Sequence, residues 1–179
     1  MIILGIDPGY AITGYGVIRY VGNHFTTLNY GVVSTKAGTP FELRLLQIAN
    51  EIDALIERYH PDIMAIEELF FSRNTTTAIG TAQARGVLIL SAAKKNMQVF
   101  EYTPMQVKLA VTGYGRADKA QVGQMVKMLL NLDKTPKIID DASAALAIAI
   151  CQAHTGLIGQ NKAVGGYQYG PNGKRDFLS

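Results

Sequence analysis

The first nine residues, Met1-Ile2-Ile3-Leu4-Gly5-Ile6-Asp7-Pro8-Gly9, restrict the fold more than any other stretch. An apolar run this short, closed by Asp-Pro-Gly, reads as a buried strand that carries one carboxylate to its C-terminal end and then turns. Pro8 lacks the N–H that a ladder needs and Gly9 tolerates positive φ, so the chain must leave the sheet just past Asp7. Asp7 therefore stands at a sheet rim, where α/β proteins commonly bind ligands, although an Asp that only shapes its own turn would look the same.

Two further acids arrive in comparable positions. The run Asp62 to Ile66 is again short and apolar and ends on Glu67. Asp140 and Asp141 open the apolar helix Ala144 to Ile150, where a helix N-terminus favours acids on its own account. Acids from two strand ends and one helix start, with no His or Cys cluster, suit oxygen-seeking cations such as Mg²⁺ or Mn²⁺.

Charge is segregated along the chain. Residues 1 to 70 carry four Lys and Arg against eight Asp and Glu, whereas residues 71 to 137 carry ten against three. An acidic rim beside a basic middle region is what a polyanionic substrate requires, while any single lysine is as well explained by a solvated face. With 179 residues, 48% of them hydrophobic, the chain suits one α/β domain over residues 1–155. Beyond Thr155 it turns Gly-, Asn- and Gln-rich, and residues 156–179 are expected to form a weakly ordered tail. No apolar span has membrane length and the N-terminus lacks signal-peptide features, so a cytoplasmic location is expected. The single cysteine, Cys151, lies in an apolar run and reads as a core residue.

In chain order, Thr13 to Tyr20 and Phe25 to Ser34 read as antiparallel strands joined by a tight turn in which His24 is solvated. Thr39 as N-cap and Pro40 as first helical residue should start an amphipathic helix ending near His60, returning the chain to a strand parallel to the first. The loop after Glu67 holds Phe70, Phe71 and Arg73, a candidate DNA-contacting set. One ring should anchor the loop while the other, assigned as Phe70, meets bases, and Arg73 can hold a phosphate. The helix from Asn74 to about Lys95 has a small-residue surface, Thr76, Gly80, Ala82, Ala84 and Gly86, suited to an internal contact or a subunit interface. After a strand from Met97 to Tyr102, Lys108, Arg116 and Lys119 gather around a glycine-bearing loop suited to a phosphate backbone. A helix from Lys119 to Leu132 follows.

GIDPG at Gly5 to Gly9, AIEE and the FF pair from Ala65 to Phe71, QARG at Gln83 to Gly86, QVK at Gln106 to Lys108 and DDASAALAIA at Asp140 to Ala149 resemble the RuvC family of Holliday junction resolvases, over about residues 1 to 155. The resemblance implies an RNase H-like fold, a mixed five-stranded sheet with helices on both faces. It also implies a homodimer that nicks four-way junction DNA in concert with a branch-migration helicase complex of RuvA and RuvB type. Two Mg²⁺ ions per site are implied, Mn²⁺ being a plausible substitute, with Asp7 bridging them, Glu67 holding one and Asp141 the other. Phe70 would then stack on or wedge into bases, and Lys108 and Lys119 would contact phosphates near the cut.

One departure stands out. The family's last motif generally has a further acid three residues after the first, and here that position is Ala144. Positions i and i+3 of a helix differ by about 60°, so both could serve one ion, and Asp140 would replace the missing ligand only in part. The expectation is a chain that binds junctions and cleaves them poorly. A non-catalytic junction-binding module and an actin-like nucleotide-binding domain stay open as alternatives.

Overall fold

The computed structural model describes residues 1–69, 75–135 and 137–156. Three strands, β1 (Ile2–Asp7), β2 (Ile12–Val21) and β3 (His24–Ser34), form an antiparallel meander. The β2–β3 turn uses Gly22 at φ 54° and Asn23 at φ 63°, the paired left-handed conformation that matches the twist of a two-residue hairpin. Helix α1 (Phe41–Tyr59) then crosses to β4 (Ile63–Glu67), parallel to β1, and α2 (Thr75–Lys94) crosses to β5 (Gln98–Tyr102), parallel to β4. The sheet order is β3-β2-β1-β4-β5. Helices α3 (Pro104–Thr112), α4 (Lys119–Leu129) and α5 (Asp140–Thr155) complete the described chain.

Alternation along the strands divides the core in two. Leu4, Ile6, Met64 and Ile66 face α1 and α2, packing on Ile48, Ile52, Ile56, Ala84 and Leu88. Ile3, Ile63, Ala65, Phe100 and Tyr102 face the opposite way, toward α3, α4 and α5. Asp7 and Glu67 continue that second set by period 2, so both carboxyls emerge on the α5 side. Helix α5 is buried almost throughout, from Ala145 to Ala153, because the sheet covers one side and α3 and α4 the other.

Small corrections concern helix ends. Pro40, rather than Thr39, occupies the N-cap of α1, and no side chain caps it. The Pro40 carbonyl accepts from the N–H groups of Leu43 and Arg44, so the helix begins one residue later than expected. Helix α4 stops at Leu129, short of the expected Leu132, with the Leu130 N–H bonded back to the Val126 carbonyl. Asn74, expected to cap α2, lies outside the described residues, as does the tail beyond residue 156.

Candidate active site

Asp7 and Glu67 end neighbouring parallel strands at the same level, since the ladder pairs Ile3 with Ile63 and Ile6 with Ile66. Their carboxyls lie close enough for each to act on the other's charge. Burial, reinforced by the charges of Glu67 and Asp141, pushes the Asp7 carboxyl up to about 7. Burial also raises Glu67, opposed by the ammonium groups of Lys119 and Lys108. Two acids this poorly hydrated make a full double negative charge costly at this spot.

Backbone contact brings the third acid in. Asp7 pairs with Gly14 on β2, and a Cβ built on Gly14 would stand 2.0 Å from the Asp141 carbonyl oxygen. At Gly5 a Cβ would meet the Ala145 carbonyl at 2.1 Å. The two glycines let the first turns of α5 lie directly on β1 and β2, which puts Asp141 beside Asp7. Gly5 belongs to the GIDPG motif, but nothing local in the sequence shows that it or Gly14 admits a helix from the far end of the chain.

The turn after Asp7 is tied down from several directions. Thr13 Oγ1 donates to the Gly9 carbonyl at 2.6 Å, and Thr35 Oγ1 donates to the Tyr10 carbonyl at 2.6 Å. Arg44 donates from Nε to Thr35 Oγ1 at 2.7 Å and lies 4.7 Å over the Tyr10 ring. None of these partners carries a motif that reading the sequence could have found.

A cleft of about 1000 Å³ opens over the acids, lined by Asp7, Glu67, Asp140, Asp141 and Ala144 together with Lys108, Lys119, Lys127 and Lys137. Lys119 is held at the first turn of α4 by a capping box between Asp118 and Gln121, and Lys127 Nζ donates to the Thr135 carbonyl at 3.2 Å. Lys127 and Lys137 escaped the sequence reading, having no spacing that distinguishes them from solvated lysines. Arg116 instead lines a separate hollow of about 400 Å³ with Met105, Leu109 and Tyr114. Phe70, Phe71 and Arg73 lie outside the described residues. Cys151 is buried and its thiol pushed up to about 11 by burial, as suits a core residue and not a nucleophile. Among the described residues no three His, Cys, Asp or Glu side chains form a ready-made ion site, and no helix is long and apolar enough to cross a membrane.

This arrangement has counterparts. The family profile described as crossover junction endodeoxyribonuclease RuvC matches residues 3–152. A protein of that name from Alkaliphilus oremlandii is 58% identical over 87% of this chain and 94% of its own length. Another from Ruminiclostridium cellulolyticum is 54% identical over 89% and 95%. The structure of Thermus thermophilus RuvC in complex with a Holliday junction substrate superposes with a TM-score of 0.85 at 33% identity, covering 92% of this chain and 99% of that one. The sheet order and the helices on both faces are those of an RNase H-like fold, and the family match, not the fold, sets the actin-like alternative aside. With the profile spanning most of its length and relatives above 50% identity, the chain belongs to the RuvC family of crossover junction endodeoxyribonucleases.

Proposed function

We propose that the chain acts on four-way junction DNA as a cation-dependent endonuclease, working as a homodimer alongside a branch-migration helicase complex of RuvA and RuvB type. The observation that carries this reading is the pair of Asp7 and Glu67 at neighbouring strand ends, both lining a lysine-lined cleft. An all-oxygen donor set, one member of which keeps a proton near neutrality, fits Mg²⁺ or Mn²⁺ and does not fit a thiophilic metal. Asp7, Glu67 and Asp141 would be the ligands, Asp7 shared between two ions and Asp140 at the margin. When bound there, divalent ions supply the positive charge that makes water a nucleophile near neutral pH and stabilises the departing oxygen.

The chain's own cations do the rest. Lys108 and Lys119, near enough to Glu67 to act on its charge, orient the scissile phosphate and offset the negative charge that builds on it. Lys127 and Lys137 lengthen the same row and hold flanking phosphates. On the motif resemblance, the base-contacting role is assigned to Phe70, and Phe71 and Arg73 are assigned as further DNA contacts. Pairing of two sites falls to α2, whose outward stripe Ile79, Gln83, Gly86 and Leu90 is exposed, Ile79 by 60% and Leu90 by 55%. Gly80 and Ala84 on the same helix turn inward, to the Tyr10 ring and the core.

Ala144 lines the cleft one turn from Asp141, where a carboxylate would face the same space. Without that carboxylate an ion bound beside Asp141 would lack a ligand, and slow cleavage is the expected consequence. Replacing it, Ala144→Asp, is expected to raise nicking of a synthetic junction in Mg²⁺ at least about tenfold, equivalent to about 1.4 kcal/mol. Equal rates in the two forms would overturn the assignment. Ala144 favours a second reading in which the chain binds junctions without cutting them. Tight binding with no nicking in either form, in Mg²⁺ or Mn²⁺, would be its signature.

A further inference from the structure

Arg85 carries a charge that the cleft does not use. It projects from α2, on the sheet face opposite α5, and pairs with Glu101, the two side chains being only 13% and 15% exposed. Its Nε also donates to the Glu67 carbonyl at 3.2 Å. A buried ion pair is seldom the most stable filling for such a space, because both charges lose hydration that apolar side chains would not need. What the pair does supply is geometry. The β4–β5 ladder ends at Glu67 opposite Tyr102, with the Glu68 N–H donating to the Tyr102 carbonyl at 2.9 Å. At that last rung Glu67 is gripped by its carbonyl from one face of the sheet while its carboxyl meets Asp7 on the other.

We propose that Arg85 is a positioning residue: bound to the Glu67 carbonyl and ion-paired with Glu101, it fixes the end of β4 and so holds the Glu67 carboxyl against Asp7. A guanidinium suits this task because its planar fork can serve a carbonyl and a carboxylate at once, which an ammonium on a flexible stem does less well. The inference rests on the ion-binding reading of the cleft and adds to it a residue on the far side of the sheet that sets ion affinity without touching ion or DNA.

The test measures Mn²⁺ affinity by electron paramagnetic resonance, junction affinity in EDTA by fluorescence anisotropy, and thermal unfolding, for the full chain and for Arg85→Ala, Arg85→Lys and Glu101→Gln. Arg85→Ala and Glu101→Gln are expected to weaken Mn²⁺ binding about tenfold, the scale seen when a group that orients a metal ligand is removed, with Arg85→Lys between them and the parent. Junction affinity in EDTA stays within about twofold, since the phosphate-binding lysines are untouched. Variants that melt earlier yet, while folded, bind Mn²⁺ as the parent does would overturn the proposal and leave Arg85 a stabiliser of the fold. If Arg85→Ala does not fold, the other two substitutions decide by the same criterion. A parent chain that holds no Mn²⁺ sinks the ion-binding reading itself and this inference with it, a result distinct from equal affinity in parent and variants.

Discussion

The contact between Gly14 and α5 makes a quantitative test of how the third acid is placed. In Gly14→Ala the new Cβ would stand 2.0 Å from the Asp141 carbonyl oxygen, 2.4 Å from its carbon and 3.1 Å from its Cβ. Backbone atoms cannot yield as a flexible side-chain tip does, so the first turn of α5 must retreat by about 1 Å in an interior packed to crystal density. Overpacking of that kind costs about 1–3 kcal/mol. For a chain of this size each kcal/mol lowers the melting temperature by about 2–4 °C. The same retreat carries Asp141 away from Asp7, and a misplacement of about 1 Å in a catalytic group commonly costs about 100-fold in rate. Melting curves, Mn²⁺ affinity and junction nicking are measured on the Ala144→Asp chain with and without Gly14→Ala. A control separates positioning from stability: Ile52→Val trims the other core, where Ile52 is fully buried, and should cost about 0.5–1.5 kcal/mol with no loss of rate. If Gly14→Ala leaves both melting temperature and nicking unchanged, the glycine contact does not place Asp141 and the reasoning fails.

The Asp7 carboxyl titrates near 3.8 in an unstructured chain and is pushed up to about 7 in the fold, first by burial and then by Glu67 and Asp141. Between those values the folded chain keeps a proton that the unfolded chain has released, so stability without metal should fall as pH rises from about 4 to about 7 and level off above. In EDTA, Asp7→Asn should therefore be more stable than the parent at pH 8 by on the order of 2 kcal/mol, less than the whole shift because Asp7 and Glu67 titrate as a pair, with the margin closing toward pH 4. A margin in urea unfolding that does not change with pH would contradict the burial argument. Gly86→Ala adds a methyl with nothing within 4 Å in the single chain, so the monomer should gain about 0.5–1 kcal/mol while sedimentation shows a weaker dimer. Undiminished dimerisation would move the interface off this stripe of α2.

Much of the fold was legible because two independent signals agreed at each element. Asp7 and Glu67 follow short apolar runs, and a helical period separates them, so a parallel pair of strand ends was the economical reading. Helix α5 was legible as an apolar helix opened by two acids, and the structure shows it buried between the sheet and α3 and α4. Tertiary partnership was what the sequence hid. Gly14 reads like any strand glycine until α5 is laid on it, and Arg85 reads like a solvated cation until Glu101 arrives from β5 to bury it. Arg116 was grouped with Lys108 and Lys119 on proximity in the chain. In the fold, the turn that ends in the Asp118 cap sends Lys119 into the cleft and leaves Arg116 lining a different hollow.

The two sides of the site bear differently on what Ala144 does. The architecture that gathers the acids is made of backbone contacts, Gly14 to Asp141 and Gly5 to Ala145, and of the ladder between β1 and β4, none of which uses the side chain at position 144. Electrostatics is the other side: Asp7 already sits at an unfavourable ionisation, so every further acid in the cleft makes the ion-free chain harder to fold and the ion-loaded chain easier. Ala144 lies at that balance, half-buried with its Cβ at the cleft wall. A carboxylate grafted there would project from the cleft wall beside Asp7, Glu67 and Asp141, and its main effect is expected through charge. Ala144→Asp should accordingly lower stability in EDTA, restore it on adding Mg²⁺, and raise nicking together, three effects with a single electrostatic origin. Were the substitution to destabilise the chain equally with and without Mg²⁺, position 144 would be acting through packing, and the account of the cleft as a site limited by its supply of charge would be wrong.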